Sequence, residues 1–237
     1  MKIGRVSYKC KNRDIVFNLN QIERALRETR GKADLLCFGE AFLQGFDSLC
    51  WDYESDKNMA VEFESEPIRR LREWTVQYGT AILTGYIEKS EDRLFSSCLA
   101  AADGQIIYNY RRISKGWKEF TKTDEHYCEG ETVREFRLHG RDFMPALCGD
   151  LWDYPERFKT DHLLLWPVYV NYSPEEWEQG VLDEYAAQAA LAAKVTLMVN
   201  PIDDDPVNHG GSFRFRNGEV TDRIPFDREQ ILIADVD

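Results

Sequence analysis

The sequence has no run of about 20 consecutive apolar residues, which is the length that a membrane-spanning helix needs. Its first residues, MKIGRVSYKCKNRD, also lack the apolar core of a signal peptide. We therefore expect a soluble, cytoplasmic protein with no membrane partner.

The sequence also has no excess of basic residues. Asp and Glu together number 42 against 30 Lys and Arg, so the formal net charge is -12 at pH 7. Proteins that bind nucleic acid need a basic face to contact the phosphates. The short basic stretch in residues 111–118 is interleaved with apolar residues and is too short to form such a face. We therefore expect no nucleic-acid partner.

The sequence motifs that are typical of metal-binding sites are also absent. The six cysteines are widely spaced and include no C-x-x-C pair, and the four histidines show neither H-x-x-x-H nor H-E-x-x-H spacing. Cysteines spaced in this way are typical of reduced thiols in a cytosolic protein. The sequence therefore predicts no metal centre.

Linkers, repeats and low-complexity stretches are missing too, so residues 1–237 are predicted to form one domain. Short apolar strands alternate with amphipathic helices from end to end, which predicts an α/β layered architecture. Two hairpin turns are predicted at Asp103-Gly104 and Asn217-Gly218, because Asp, Asn and Gly tolerate positive φ.

Capping residues predict where the helices begin and end. Asn20 is a candidate N-cap for the first helix, and Gly31 is placed to end it. Ser65 and Gly79 have the same roles for the second helix. A long third helix is expected from about Pro174 to Lys194, with an alanine-rich centre.

Two reactive side chains follow apolar runs. Glu40 ends ADLLCFGE, and Cys148 follows FMPAL in the stretch FMPALCGDLWDYPE. Side chains at strand ends of α/β folds tend to lie at ligand crevices. A buried acid without a partner is costly, so Glu40 should reach either the surface or a site. Free cysteine is often simply a small buried apolar residue, and that alternative stays open for Cys148.

These stretches together resemble the nitrilase, or carbon-nitrogen hydrolase, superfamily over almost the whole chain. The resemblance consists of the glutamate after an early strand, the Tyr110-Arg111-Arg112-Ile113 stretch after a hairpin, and the C-G-D-L-W-D-Y-P-E segment. This segment is similar to that of the amide-cleaving branches, whereas true nitrilases usually have cysteine-tryptophan-glutamate. The resemblance implies a four-layer α-β-β-α sandwich and a homodimer.

The resemblance also implies a catalytic triad of glutamate, lysine and cysteine that needs no metal or organic cofactor. Glu40 would accept the proton of the Cys148 thiol, pass it to the departing amine, and later activate water against the thioester. A cation and backbone amides near the thiol would stabilise the tetrahedral oxyanion.

The lysine is where this sequence departs from the family pattern, because Arg112 occupies its position. Arginine can stabilise an oxyanion but does not deprotonate and has a different shape. We favour Lys118 as the catalytic lysine, because Gly116 permits a turn that could bring it to the site. Lys115 and Arg112 itself remain alternatives, with Arg112 otherwise predicted to bind substrate.

Acidic and aromatic residues are candidates for the substrate pocket. Glu119 is predicted to orient the cation and contact substrate, and it competes with Glu125 for the role of the supporting glutamate of the family. Trp152 and Tyr169 are predicted to line the pocket and exclude water from the thioester. For these residues the alternatives are a solvated acidic loop and ordinary aromatic core.

The leading hypothesis is a thiol-dependent hydrolase that releases ammonia from a small non-peptide amide or N-carbamoyl compound. A second hypothesis is a non-catalytic binding or regulatory protein that keeps the fold, which the displaced lysine favours. A third is a Cys-His hydrolase that uses His126, His139 or His162, although their spacing does not favour it.

Overall fold

The structure, a computed structural model, describes residues 1–236. In that part of the chain there are two six-stranded sheets and one two-stranded ribbon. The strands are β1 (Lys2–Ser7), β2 (Leu35–Cys37), β3 (Ala81–Ser90), β4 (Arg93–Ala102), β5 (Gln105–Arg111), β6 (Phe136–Leu138), β7 (Arg141–Pro145), β8 (Leu163–Pro167), β9 (Val195–Val199), β10 (Ile202–Asp204), β11 (Val207–His209), β12 (Ser212–Arg216), β13 (Glu219–Ile224) and β14 (Gln230–Asp235).

The helices flank the sheets. They are α1 (Ile15–Glu28), α2 (Tyr53–Asp56), α3 (Glu66–Tyr78), α4 (Asp150–Asp153), α5 (Pro174–Glu176) and α6 (Leu182–Ala192).

The first sheet has the strand order β14-β1-β2-β3-β4-β5. Its central strands β1, β2 and β3 are parallel, and β4 runs antiparallel to both β3 and β5. Strands β2, β3 and β5 therefore all point the same way. Residues that follow β2 and β5 consequently come out at the same end of the sheet.

The second sheet has the order β13-β12-β9-β8-β7-β6. Strands β7, β8 and β9 are parallel, and β8 and β9 are nearly continuous in apolar residues, as expected for strands that are covered on both faces. Cys148 lies shortly after the end of β7. Its position is therefore set by a strand of this parallel group.

Two apolar layers hold the sandwich together. Between the sheets, Leu35 and Leu83 of the first sheet belong to the same buried cluster as Leu165 and Leu197 of the second. On the outer side of the first sheet, α1 and α3 bury their apolar faces in a separate cluster. Each fully buried leucine side chain stabilises the folded state by about 1.5–3 kcal/mol relative to an exposed one. The predicted α-β-β-α sandwich is confirmed.

The helix-start predictions had mixed outcomes. Helix α3 begins after Ser65, which stands at the N-cap without a side-chain capping hydrogen bond, and it ends at Gly79 in the left-handed conformation, as predicted. The prediction that Asn20 begins the first helix is wrong, because α1 starts at Ile15 and Asp14 accepts the hydrogen bond of the Phe17 amide at 2.9 Å. Asp14 precedes the first apolar residue of the helix and is the better cap for that reason.

The predicted long helix and both hairpins are present. Residues from α5 to α6 form one helical stretch that a π-helical turn, Trp177–Val181, interrupts at Gly180, whose φ is 139°. A π-helical turn of this kind usually occurs as a single turn inside an α-helix. Asp103-Gly104 joins β4 to β5, and Asn217-Gly218 joins β12 to β13; the non-glycine residue of each turn also has positive φ.

Candidate active site

Glu40 lies three residues after β2 and is fully buried. Its amide donates to the carbonyl of Val168 at 3.1 Å, which ties this loop of the first sheet to the chain that follows β8 of the second. Gly85 leaves room for the loop, because a Cβ there would lie 2.6 Å from the Cα of Glu40. The backbone around the acid is therefore fixed from both sheets.

The two carboxylate oxygens of Glu40 have different surroundings. Oε1 accepts hydrogen bonds from Nη1 of Arg112 at 2.9 Å and from the hydroxyl of Ser96 at 2.8 Å. Oε2 is buried and has no hydrogen-bond partner among residues 1–236. A buried carboxylate oxygen without a donor is uncommon and needs an explanation. Oε2 is thus the oxygen available to accept a proton.

Arg112 follows β5 directly, so it reaches the same end of the sheet as Glu40. Its side chain is only 3% exposed, and its Nε donates to the hydroxyl of Ser114 at 2.6 Å. Burial alone lowers the pKa of Arg112, but the negative groups around it, Glu40 first, outweigh burial and raise that pKa. Arg112 is therefore a fixed positive charge at all ordinary pH values.

Cys148 lies at the carboxyl end of β7, where the second sheet meets this ion pair. Its amide donates to Pro167, its carbonyl accepts the indole N–H of Trp166 at 2.9 Å, and its Sγ lies 3.7 Å from the carbonyl oxygen of Tyr169. The residue has a φ of 38°, in the left-handed region that non-glycine residues rarely adopt. Cys148 as a whole is partly exposed, although its sulfur lies among buried groups.

The electrostatics of the site keep the resting thiol neutral. Burial of the sulfur and the negative charge of Glu40 raise the pKa of Cys148 to about 12, while the positive charge of Arg112 opposes this rise. A thiol with such a pKa keeps its proton at pH 7 and must lose it to a base during a reaction. Glu40 is the carboxylate whose charge acts on this thiol.

Asp150 connects the loop after β5 to the turn after β7. It is fully buried, and it accepts the hydroxyl of Tyr110 at 2.6 Å and the amides of Ile113, Ser114 and Leu147 at 3.1, 2.9 and 2.9 Å. Burial raises the pKa of Asp150, and nearby Arg112 together with these donors opposes the rise. The aspartate thus holds the Arg112 loop and the Cys148 turn in one arrangement.

Lys118 lies elsewhere. Its ammonium is 2.7 Å from a carboxylate oxygen of Glu129 and also donates to the carbonyl of Tyr127. It lines a cavity of about 870 Å³ whose lining includes neither the Glu40 nor the Cys148 side chain. Glu119 is exposed, and its carbonyl accepts two amides of the following turn. The geometry does not bring these two predicted residues to the thiol.

The two predicted pocket aromatics are placed differently. Tyr169 contributes its backbone carbonyl to the site, while its ring stacks on Phe46 with centroids 4.6 Å apart. Trp152 is 40% exposed and meets Tyr185 edge to face at 5.0 Å. Burial first, and then the neighbouring Cys148, raise the pKa of the Tyr185 hydroxyl, which places this tyrosine close to the site.

Four residues around the site have no feature in the sequence that predicts a functional role, namely Ser96, Ser114, Tyr185 and Asp150. From the sequence, Asp150 is expected only to fix the turn after Cys148. Ser96 lies in β4 and Tyr185 lies in an alanine-rich helix, so nothing in their local pattern marks them. Ser114 stands two residues after Arg112. The only feature of the sequence that could have pointed to Ser114 is the arginine in the place of the family lysine.

Within residues 1–236, no group of three or more His, Cys, Asp or Glu side chains is arranged to hold a metal ion. In the same part of the chain no helix has both the length and the apolarity needed to cross a membrane.

The sandwich, with Glu40 and Cys148 at neighbouring strand ends, resembles the nitrilase superfamily, although Arg112 stands where that family has a lysine. The profile of the carbon-nitrogen hydrolase family matches residues 3–157, well over half of the chain. The chain therefore belongs to the carbon-nitrogen hydrolase family.

Individual relatives are distant. The chain is 25% identical to the glutamine-dependent NAD(+) synthetase of Thermotoga maritima, over 94% of this chain and 40% of the synthetase. It is 23% identical to the arylacetone-specific nitrilase of Alcaligenes faecalis, over 85% of this chain and 58% of the nitrilase. The chain thus spans only about half the length of the curated relatives it matches.

A solved structure has the same fold. A mutant of the amidase from Nesterenkonia sp. AN1, which shows the result of Michael addition of acrylamide at the active site cysteine, is similar with a TM-score of 0.79. The identity is 19%, and the match covers 100% of this chain and 93% of the amidase. At this identity the likeness establishes the fold.

Proposed function

We infer that this protein hydrolyses the carbon–nitrogen bond of a small non-peptide amide or N-carbamoyl compound through a thioester on Cys148. The observation that carries this function is the convergence of three groups from separate parts of the chain. The unpartnered Oε2 of Glu40 can act as a base, Arg112 is a permanent cation, and Cys148 is a partly exposed residue with a neutral thiol. Acyl transfer needs these three roles.

The first half of the reaction forms the thioester. Glu40 takes the thiol proton as the sulfur attacks the carbonyl carbon, and the electron pair of the C=O double bond moves to the oxygen. The positive charge of Arg112 stabilises that oxyanion. When the oxyanion collapses, the C–N bond breaks, and the nitrogen leaves as ammonia or an amine with the proton that Glu40 returns.

The second half releases the acid. Glu40 takes a proton from water, the resulting hydroxide attacks the thioester, and the C–S bond breaks. The proton on Glu40 then returns to the sulfur, which restores the neutral thiol. The high thiol pKa suits this cycle, because the resting sulfur needs a base for every turnover.

Non-catalytic binding is the second candidate. It is favoured by the arginine in the place of the family lysine. A binding protein would keep the pocket and the ion pair for their structural value. It would not release ammonia from any amide.

Ammonia release from a panel of small linear amides and N-carbamoyl compounds separates the two candidates. We expect the unmodified protein to release ammonia from at least one member and Cys148→Ala to release none above background. Cys128→Ala is the matched control, because Cys128 is also partly exposed but lies outside the site, and it should retain full activity. Activity that survives Cys148→Ala, or silence of the folded native protein across the panel, contradicts the proposal.

A further inference from the structure

Three nitrogens of the Arg112 guanidinium have different neighbours. Nε donates to Ser114 at 2.6 Å and Nη1 donates to Glu40 at 2.9 Å. Nη2 makes no hydrogen bond to another residue among residues 1–236; it lies against Gly149, which follows the nucleophile directly, and near Gly116 on the loop after β5. Nη2 is therefore the guanidinium nitrogen that has a free N–H donor next to Gly149, the residue after Cys148.

Gly149 leaves room for this nitrogen. A Cβ at residue 149 would lie 2.4 Å from Nη2 of Arg112 and 3.3 Å from the hydroxyl oxygen of Ser114. The guanidinium is held at its other two nitrogens inside the protein, so it cannot swing away as an exposed side chain would. A larger residue at position 149 must displace it.

Backbone conformation does not explain this glycine. Gly149 has φ of -65° and ψ of -8°, which is near-helical geometry that L-residues adopt without strain, and it immediately precedes α4. We therefore attribute the absence of a side chain at position 149 to the space that the Arg112 guanidinium occupies there.

Ser114 fixes the orientation of the same guanidinium. It is fully buried, and its amide donates to Asp150 at 2.9 Å, so the position of its hydroxyl is set by the backbone. A lysine at position 112 has one nitrogen, and it could not donate to Ser114 and Glu40 and also lie beside Gly149 in the way a planar three-nitrogen group does.

We propose that Gly149 and Ser114 are positioning residues that fit this active site to an arginine, and that they aim Nη2 of Arg112 at the carbonyl oxygen of the substrate. The proposal rests on the proposed function, since it names the group that receives the oxyanion. It also accounts for the combination of an arginine, a serine two residues later and a glycine after the cysteine.

A double-mutant cycle between positions 112 and 149 tests the pairing. We expect Gly149→Ala to lower kcat roughly 100-fold with little change in KM, because an aligned donor moves by about 1 Å or more. In the Arg112→Lys background, the smaller ammonium removes the conflict, so Gly149→Ala should lower kcat by less than about threefold. Equal losses in both backgrounds would overturn the proposal.

Ser114 variants test the second contact. Ser114→Ala should lower kcat about tenfold with an unchanged KM, because the guanidinium loses one of its two anchors. Ser114→Thr keeps the hydroxyl and should restore most of the activity. A threonine variant no better than the alanine variant would show that the hydroxyl has no positioning role.

Alkylation of Cys148 by iodoacetamide provides a readout that does not depend on hydrolysis. The charge of Arg112 favours the thiolate, so Gly149→Ala should slow alkylation in the native background and change it little in the Arg112→Lys background. Coupled alkylation rates without ammonia release would overturn the proposed function and retain the positioning. Ammonia release with uncoupled rates would do the reverse.

Discussion

Replacing Glu40 with glutamine is expected to lower turnover by roughly 1,000-fold or more while making the thiol of Cys148 more acidic. Turnover falls because glutamine cannot accept the thiol proton, and general-base catalysis contributes up to about 10,000-fold. The thiol becomes more acidic because the negative charge of Glu40 raises its pKa, and removing that charge favours the thiolate.

The pH dependence of alkylation measures the second effect. Burial and the charge of Glu40 raise the pKa of the native thiol to about 12, so its alkylation rate should still be rising at the highest pH that the fold tolerates. In Glu40→Gln the rise should occur at lower pH, which gives faster alkylation at any fixed pH below the native pKa. Slower alkylation in the variant would contradict the assignment of Glu40 as the group that acts on the thiol.

Glu88 provides a matched control for this substitution. It is almost as buried as Glu40 and is likewise paired with an arginine, Arg111, and it accepts hydrogen bonds from Ser97 and Asn109. Glu88→Gln should change neither ammonia release nor the alkylation profile of Cys148. A shared effect of both substitutions would indicate a general loss of structure.

Replacing Arg112 with alanine is the second large expected effect. Turnover should fall roughly 100- to 1,000-fold, as it does when an oxyanion donor is removed. The free energy of unfolding should fall by about 3–5 kcal/mol, because Glu40 would be left buried without its cation. Steady-state kinetics and chemical denaturation measure the two effects separately.

Variants at two cationic positions separate the candidates for the catalytic charge. Arg112→Lys keeps the charge beside Glu40, so it should fold normally and still lose turnover. Lys118→Ala should stay within about threefold of the native rate, because Lys118 forms its ion pair with Glu129. If Lys118→Ala were inactive and Arg112→Ala active, the prediction of Lys118 as the catalytic lysine would hold and the arginine assignment would be wrong.

Local signals predict much of the fold. The Asp103-Gly104 turn and the Ser65 and Gly79 helix ends depend on the conformational preferences of a few neighbouring residues, and the structure has them at the predicted positions. The start of α1 is harder to predict, because both Asp14 and Asn20 can cap a helix and the apolar periodicity alone does not separate them.

The candidate site is only partly predictable from the sequence. Glu40 and Cys148 stand at the ends of apolar runs, and this local pattern marks each of them. The contact between Glu40 and Arg112 joins residues 72 positions apart, and it results from β2 and β5 pointing the same way in one sheet. No sequence spacing encodes that contact.

The preference for Lys118 shows the same limit. It depends on a local turn at Gly116, whereas the placement of the loop is decided by Asp150, which anchors the backbone just after Arg112 from a distant part of the chain. A turn signal says that the chain can bend. It does not say which of the neighbouring cations the bend brings to the thiol.

We expect Cys148 to carry the acyl group as a thioester during hydrolysis. Intact-protein and peptide mass spectrometry of the native protein, quenched in acid during incubation with an amide from the panel, tests this expectation. We predict an adduct equal to the amide minus ammonia, located on the peptide that contains Cys148 and lost on return to neutral pH with water. Turnover without any adduct on that peptide, or with the adduct on another residue, would contradict the account.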